Sequence, residues 1–238
     1  MSNNYFEFKQ FTIHQDQCSM KVTTDACLFG AWVSERLKQY APKYILDIGS
    51  GTGLLTLMLA QEHPDATIEA MELQKADFVQ SKQNAASSPW NSRLNFVLAD
   101  ASTYLFSKQF DIIISNPPFY ENDLKGDDNG KNIAHHDAGL GLETLIQIIS
   151  RQLTPVGKFY LLLPLKRHSA LINNIEHSNL FINHIAMVHQ SENHTPFRLM
   201  IEGSFSNTPL TTETIHVKMA GTYSKDFADL LHPYYLHL

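Results

Sequence analysis

A chain of 238 residues, 43% of them hydrophobic, is long enough to bury a sizeable core in one domain, or in one domain with a small extension. Its formal net charge of −6 excludes indiscriminate binding of polyanions, which needs a basic face. No run approaches ~18 apolar residues, so no membrane span is expected, and MSNNYFEFKQ lacks the pattern of a secretory signal, so the cytoplasm is the expected compartment.

In chain order, residues 5–16 (YFEFKQFTIHQD) alternate apolar and polar side chains on both sides of KQ, which predicts a short hairpin. Thr24 or Asp25 is positioned to cap a helix through ACLFGAWVSERLKQY, where Leu28, Trp32 and Leu37 keep near-helical spacing. After Pro42 strands and helices alternate. YILDIG (44–49) precedes a helix GLLTLMLAQEH, TIEAME (67–72) precedes a helix LQKADFVQSKQNAA, and NFVLAD (95–100) and FDIIIS (110–115) follow. A long polar loop leads to a helix around LETLIQIISRQL and a strand GKFYLLLP (157–164).

Near-continuous apolar strands separated by helix-length segments imply a parallel sheet covered on both faces. FINHIAMVHQ (181–190) and PFRLMIEGSFS (196–206) are joined only by SENHT, too short for a crossover helix, so this last pair is expected to be antiparallel. The expected fold is α/β and Rossmann-like. Its mostly parallel, doubly wound sheet has seven strands and ends in an antiparallel hairpin strand. Residues 1–41 form an N-terminal hairpin and helix extension, and residues 42–238 the main domain.

The stretch LDIGSGTGLLTL (46–57) places Asp47, Gly49, Gly51 and Gly53 at a strand-to-helix junction, where glycines let backbone approach a ligand closely. Glu72 follows at close to the ~20-residue spacing at which a carboxylate meets ribose hydroxyls, and Asp100 ends the third strand of the sheet on the same carboxyl edge. The G-x-G-x-x-G/A spacing of a dinucleotide site fails at Leu54. Asp47 suits a cationic ligand better than a pyrophosphate. A nucleoside with a positively charged amino-acid arm, S-adenosylmethionine, is therefore favoured over NAD.

Asn116-Pro117-Pro118-Phe119 ends the next strand. Proline fixes φ and donates no ladder bond, so the chain leaves the sheet in a stiff shape. These motifs together resemble class I S-adenosylmethionine-dependent methyltransferases, with DIGSGTG as the first motif and NPPF as the fourth. The resemblance implies methylation of a planar nitrogen. Asn116 and Pro117 would accept the hydrogens of an amine, and Phe119, with Tyr120 beside it, would stack the base.

Acceptors sharing this tetrapeptide include DNA adenine, RNA adenine, the RNA guanine 2-amino group and protein glutamine. FEFKQFTIHQDQCSMKVTTDACLFGAW (6–32), LLPLKR (162–167) and DFADLLHPYYL resemble the bacterial tRNA1(Val) adenine-37 6-methyltransferases. Transfer to the 6-amino group of adenine 37, next to the anticodon, is the implied reaction. The alternative is a guanine 2-amino rRNA methyltransferase of the same fold. One departure is Phe119, where such adenine enzymes often carry Tyr; ring stacking survives it.

Family resemblance further implies that the Lys21–Asp25 block, with Lys21 and Thr24, closes over the cofactor. Lys166 and Arg167 follow the fifth strand on the carboxyl edge, the same rim as NPPF, and are expected to touch RNA phosphates. The loop 120–134, rich in Asn, Asp and Gly, is expected to act as a lid. No metal is expected, because the 12 histidines and two cysteines match no ligand spacing, and Cys18 and Cys27 are expected as reduced thiols. The chain is expected to act as a monomer on tRNA.

Overall fold

The computed structural model describes residues 3–117 and 140–238. Strands β1 (Tyr5–Glu7) and β2 (Thr12–His14) form the antiparallel hairpin, and helix α1 covers Thr24–Leu37. Then follow β3 (Tyr44–Ile48), α2 (Leu54–Glu62), β4 (Thr67–Glu72), α3 (Lys75–Ala86), β5 (Leu94–Leu98) and β6 (Phe110–Ser115). After the undescribed segment come α4 (Leu142–Gln152), β7 (Leu153–Pro164), α5 (His168–Glu176), β8 (Phe181–Ser191), β9 (Pro196–Ser204), β10 (Thr211–Met219), β11 (Thr222–Tyr223) and α6 (Lys225–Leu231).

The large sheet runs β5-β4-β3-β6-β7-β9-β8-β10-β11. Strands β3 to β7 are all parallel, whereas β9 inserts antiparallel between β7 and β8. The chain order reverses between β3 and β6, and at such a switch point the carboxyl ends of the strands leave a crevice.

Alternation along the central strands fills two cores. Ile112 and Ile114 of β6, with Tyr160 and Leu162 of β7, pack with α1, α2 and α6. Ile113, Phe159, Leu161 and Leu163 face α4 and α5 instead. Both faces are therefore apolar, as the near-continuous hydrophobic strands require. Helices α1 and α2 cross closely at Gly30, where an added Cβ would stand 2.7 Å from Met58 Sδ.

The hairpin also belongs to the first core. Phe8, Phe11 and Ile13 are buried in it, and the far end of the chain holds them there. Lys9 N donates to Tyr234 O at 2.8 Å, Phe8 bridges to Tyr235, and the Phe6 and Tyr235 rings lie 5.6 Å apart.

Several expectations are corrected. Among the described residues the sheet has nine strands, not seven. β10 lies outside β8 and parallel to it, because the 205–210 segment passes beneath the start of β8, where Asn183 Nδ2 donates to Ser206 O and Thr208 Oγ1, each at 2.8 Å. β7 starts at Leu153 rather than Gly157, since its pairing to β6 is interrupted between Phe110 and Ile112, leaving Pro155 where no ladder bond is required. Thr23, not Thr24, is the N-cap of α1, and it caps without a side-chain bond.

Candidate cofactor and amine site

A cleft of about 360 Å³ opens at the switch point, lined by residues that follow β3, β4, β5 and β6 and by the start of α4. Gly49 and Gly51 adopt φ +76° and +53°, a left-handed backbone that favours glycine, and nothing lies within 4 Å of where a Cβ would stand. That open space, facing the cleft, is a cradle which side chains would fill.

Glu72 turns back from the end of β4 to hold this turn. Its Oε2 accepts from Gly51 N at 2.9 Å and its Oε1 from Gln74 N at 2.8 Å. Burial pushes its carboxyl upward, against the two backbone N–H groups that favour the anion. Each oxygen keeps a further lone pair for a hydroxyl. Asp100 stands two residues beyond β5, and its Oδ1 already accepts from Ser102 N (2.8 Å) and Ser102 Oγ (2.7 Å), so Oδ2 is the oxygen turned to other donors.

Across the switch point, Ser115 Oγ donates to Ile48 O at 2.7 Å and ties the end of β6 to β3. Asn116 and Pro117 emerge from that tie directly into the cleft. The expected roles of Pro118, Phe119 and Tyr120, and of the 120–134 lid, lie outside the described residues.

Four expected cofactor contacts stand off the cleft. Asp47 is fully buried, because strand alternation turns it with Ile45 toward α2, where Thr56 Oγ1 donates to Oδ2 at 2.6 Å; its Oδ1 has no hydrogen-bond partner among the described residues. Burial raises its carboxyl to about 7. Gly53 (φ +81°) caps α2 and packs against Ser81 of α3. Lys21 and Thr24 are exposed, and Lys21 Nζ reaches Asn3 O at 3.4 Å. The N-terminal residues that line the cleft are Ser19 and Met20 instead.

Lys166 and Arg167 form a 3-10 turn on the carboxyl edge, immediately after β7. Among the described residues no group of His, Cys, Asp or Glu is arranged to hold a metal ion, and no helix is long and apolar enough to cross a membrane. Burial pushes the Cys18 and Cys27 thiols up to about 12, so both are protonated and unreactive at neutral pH.

Asp77 was missed in the sequence. It lines the cleft from α3, and the signal for it was present, because α3 carries polar residues on the stripe where a covering helix carries apolar ones.

The doubly wound sheet, the glycine cradle and the carboxylate of Glu72 at the switch point define a class I S-adenosylmethionine-dependent methyltransferase. A family model described as "Methyltransferase small domain" matches residues 31–161. Relatives named tRNA1(Val) (adenine(37)-N6)-methyltransferase share 37% identity in Bacteroides thetaiotaomicron (100% of both chains) and 36% in Dyadobacter fermentans (98% of both). The chain belongs to this methyltransferase family. Among solved structures, protein Atu636 of Agrobacterium tumefaciens, described as a predicted O-methyltransferase, shares the fold at TM-score 0.66 and 17% identity over 88% of this chain and 96% of that one. The glycopeptide N-methyltransferase MtfA does so at TM-score 0.57 and 13% identity, over 78% and 92%.

Proposed function

We propose that the protein methylates the exocyclic 6-amino group of adenine 37 in tRNA1(Val), acting in the cytoplasm as a monomer without a metal. The observation that carries this reading is the placement of Asn116 and Pro117 in the same cleft as the Glu72–Gly51 cradle. S-adenosylmethionine, when bound there, supplies an electrophilic methyl group.

An amine conjugated to a purine is a poor nucleophile, because its lone pair is delocalised into the ring. The Asn116 side-chain oxygen and the Pro117 carbonyl can accept its two hydrogens, and proline holds that carbonyl in a fixed direction. Pinning both hydrogens draws the nitrogen out of the ring plane and directs its lone pair into the cleft. Positioning and electrostatics do this without a strong base. Gly49 and Gly51 admit the nucleoside, Glu72 takes the ribose hydroxyls and Asp100 the adenine of the cofactor. Lys166 and Arg167 meet tRNA phosphates on the same edge.

Purified protein incubated with S-adenosylmethionine and a tRNA1(Val) transcript should yield 6-methyladenosine at position 37. Methylation of guanine in rRNA alone, with tRNA untouched, rejects the acceptor. In the same assay Asn116→Ala should lower turnover at least ~10²-fold, the scale of losing an oriented polar contact in a transition state. Its affinity for S-adenosylhomocysteine should stay within a few-fold.

A further inference from the structure

Helix α3 buries Asp77, Gln80, Ser81, Asn84 and Ala85, the i, i+3, i+4, i+7, i+8 stripe of a core-facing helix, yet the stripe is polar. Buried polar groups require partners. Asp77, Gln80 and Asn84 find theirs in residues 14–19, from the last residue of β2 onward, while Ser81 Oγ donates to Phe78 O of its own helix at 2.9 Å.

Asn84 treats His14 as a neighbouring strand would. Its Oδ1 accepts from His14 N and its Nδ2 donates to His14 O, both at 2.9 Å. Gln80 Oε1 accepts from Gln17 N at 3.0 Å. Asp77 Oδ1 accepts from Ser19 N at 2.9 Å and Oδ2 from Ser19 Oγ at 2.5 Å, and the Cys18 thiol bonds to the same carboxylate. The segment also closes on itself, with Val22 N donating to Gln15 Oε1 at 2.8 Å.

Two further facts connect this latch to the cleft. Ser19, Met20 and Asp77 are themselves lining residues. Asn84 Nδ2 also donates to Thr52 O, at 2.9 Å, so one amide joins the segment to the turn that contains Gly51 and Gly53.

We propose that Asp77, Gln80 and Asn84 are positioning residues for methyl-donor binding: they hold residues 14–19 against α3, so that Ser19 and Met20 form a wall of the cleft in register with the glycine turn. Asp77 is 5% exposed, and both its carboxyl oxygens accept from donors of the segment. Docking of the segment and completion of the cleft are one event. This rests on the cleft being the S-adenosylmethionine site.

The test combines calorimetric binding of S-adenosylhomocysteine, steady-state kinetics and amide hydrogen exchange. Wild-type protein should bind the nucleoside and protect the Gln17 and Ser19 amides. Asp77→Ala should weaken binding about tenfold or more, the equivalent of one charge-assisted hydrogen bond. It should raise KM for S-adenosylmethionine by more than it lowers kcat, and speed exchange at Gln17 and Ser19 but not in β3 or β6.

Asp77→Asn should recover most of the affinity, because the amide accepts from Ser19 N and donates to Ser19 Oγ. Gln80 does not line the cleft, so Gln80→Ala tests the latch without touching the ligand and carries the test if Asp77→Ala does not fold. A loss of roughly threefold or more is expected. Unchanged affinity in the Ala variants, with exchange at residues 17–19 accelerated, overturns the proposal. Failure of wild-type protein to bind overturns the methyl-donor reading instead.

Discussion

Asp47 is an acid in an apolar setting, with one bonded oxygen, one without a partner among the described residues, and no exposure, and its carboxyl is raised to about 7 by burial. The native state keeps the proton up to about pH 7, whereas the unfolded chain releases it near the ordinary value of 3.8. Between those values the native state binds more protons, so stability falls as pH rises. The contribution is complete below pH ~4 and lost through pH ~7. A shift of this size corresponds to at most about 4 kcal/mol. Thermal unfolding of wild-type protein should therefore lose Tm between pH 4 and 7 relative to Asp47→Asn, whose amide cannot ionise. Parallel curves for the two proteins would remove Asp47 as the cause.

At the scale of elements, the core closes tightly on β9 at Gly203. An added Cβ at Gly203 would stand 2.3 Å from Phe159 Cζ and 2.5 Å from Phe181 O, and the second of these is backbone, which cannot swing aside. Gly203→Ala should cost about 1–3 kcal/mol, as overpacking does. At 2–4 °C per kcal/mol for a chain of this size, Tm falls by roughly 2–12 °C. An unchanged Tm would mean that the strand shifts freely.

The strands β3 to β6, β8 and β9 were legible because long apolar runs admit few other structures. β10 was not, since only Ile215 and Val217 point inward and its remaining residues, mostly Thr, Lys and His, read as a polar loop. The carboxyl-edge site was legible for a related reason. Gly49, Gly51, Glu72, Asp100 and Asn116 all sit where strands end, and strand ends are set by local pattern. The α3 latch was half legible: the polar stripe of Asp77, Gln80, Ser81 and Asn84 shows in the sequence, but its partners are mostly backbone groups far away in the chain, which side-chain pattern does not identify.

At the scale of the whole molecule, a charge of −6 must still hold a polyanion. The molecule meets this locally. The edge beside Asn116 carries Lys166 and Arg167, and between Glu143 and Glu176 the chain has no acidic residue. Replacing both with Ala should raise KM for tRNA several-fold and flatten the salt dependence of binding by roughly 1.4–1.8 in log–log slope, the loss of two phosphate contacts. S-adenosylhomocysteine binding should be unaffected. An unaltered slope would place the tRNA elsewhere.

The contact between the Phe8 hairpin and Tyr234–Tyr235 joins residues as far apart in sequence as Lys9 and His232, 223 positions. A contact of that sequence separation closes a long loop, so β1 and β2 gain this partner only once the intervening chain is ordered. The wall of the cleft formed by Ser19 and Met20 hangs from the same hairpin. The lining at Ser19 and Met20 is thus tied to both the hairpin and α6: loosening the packing at Tyr234 or Tyr235, far from the cleft, should be felt there.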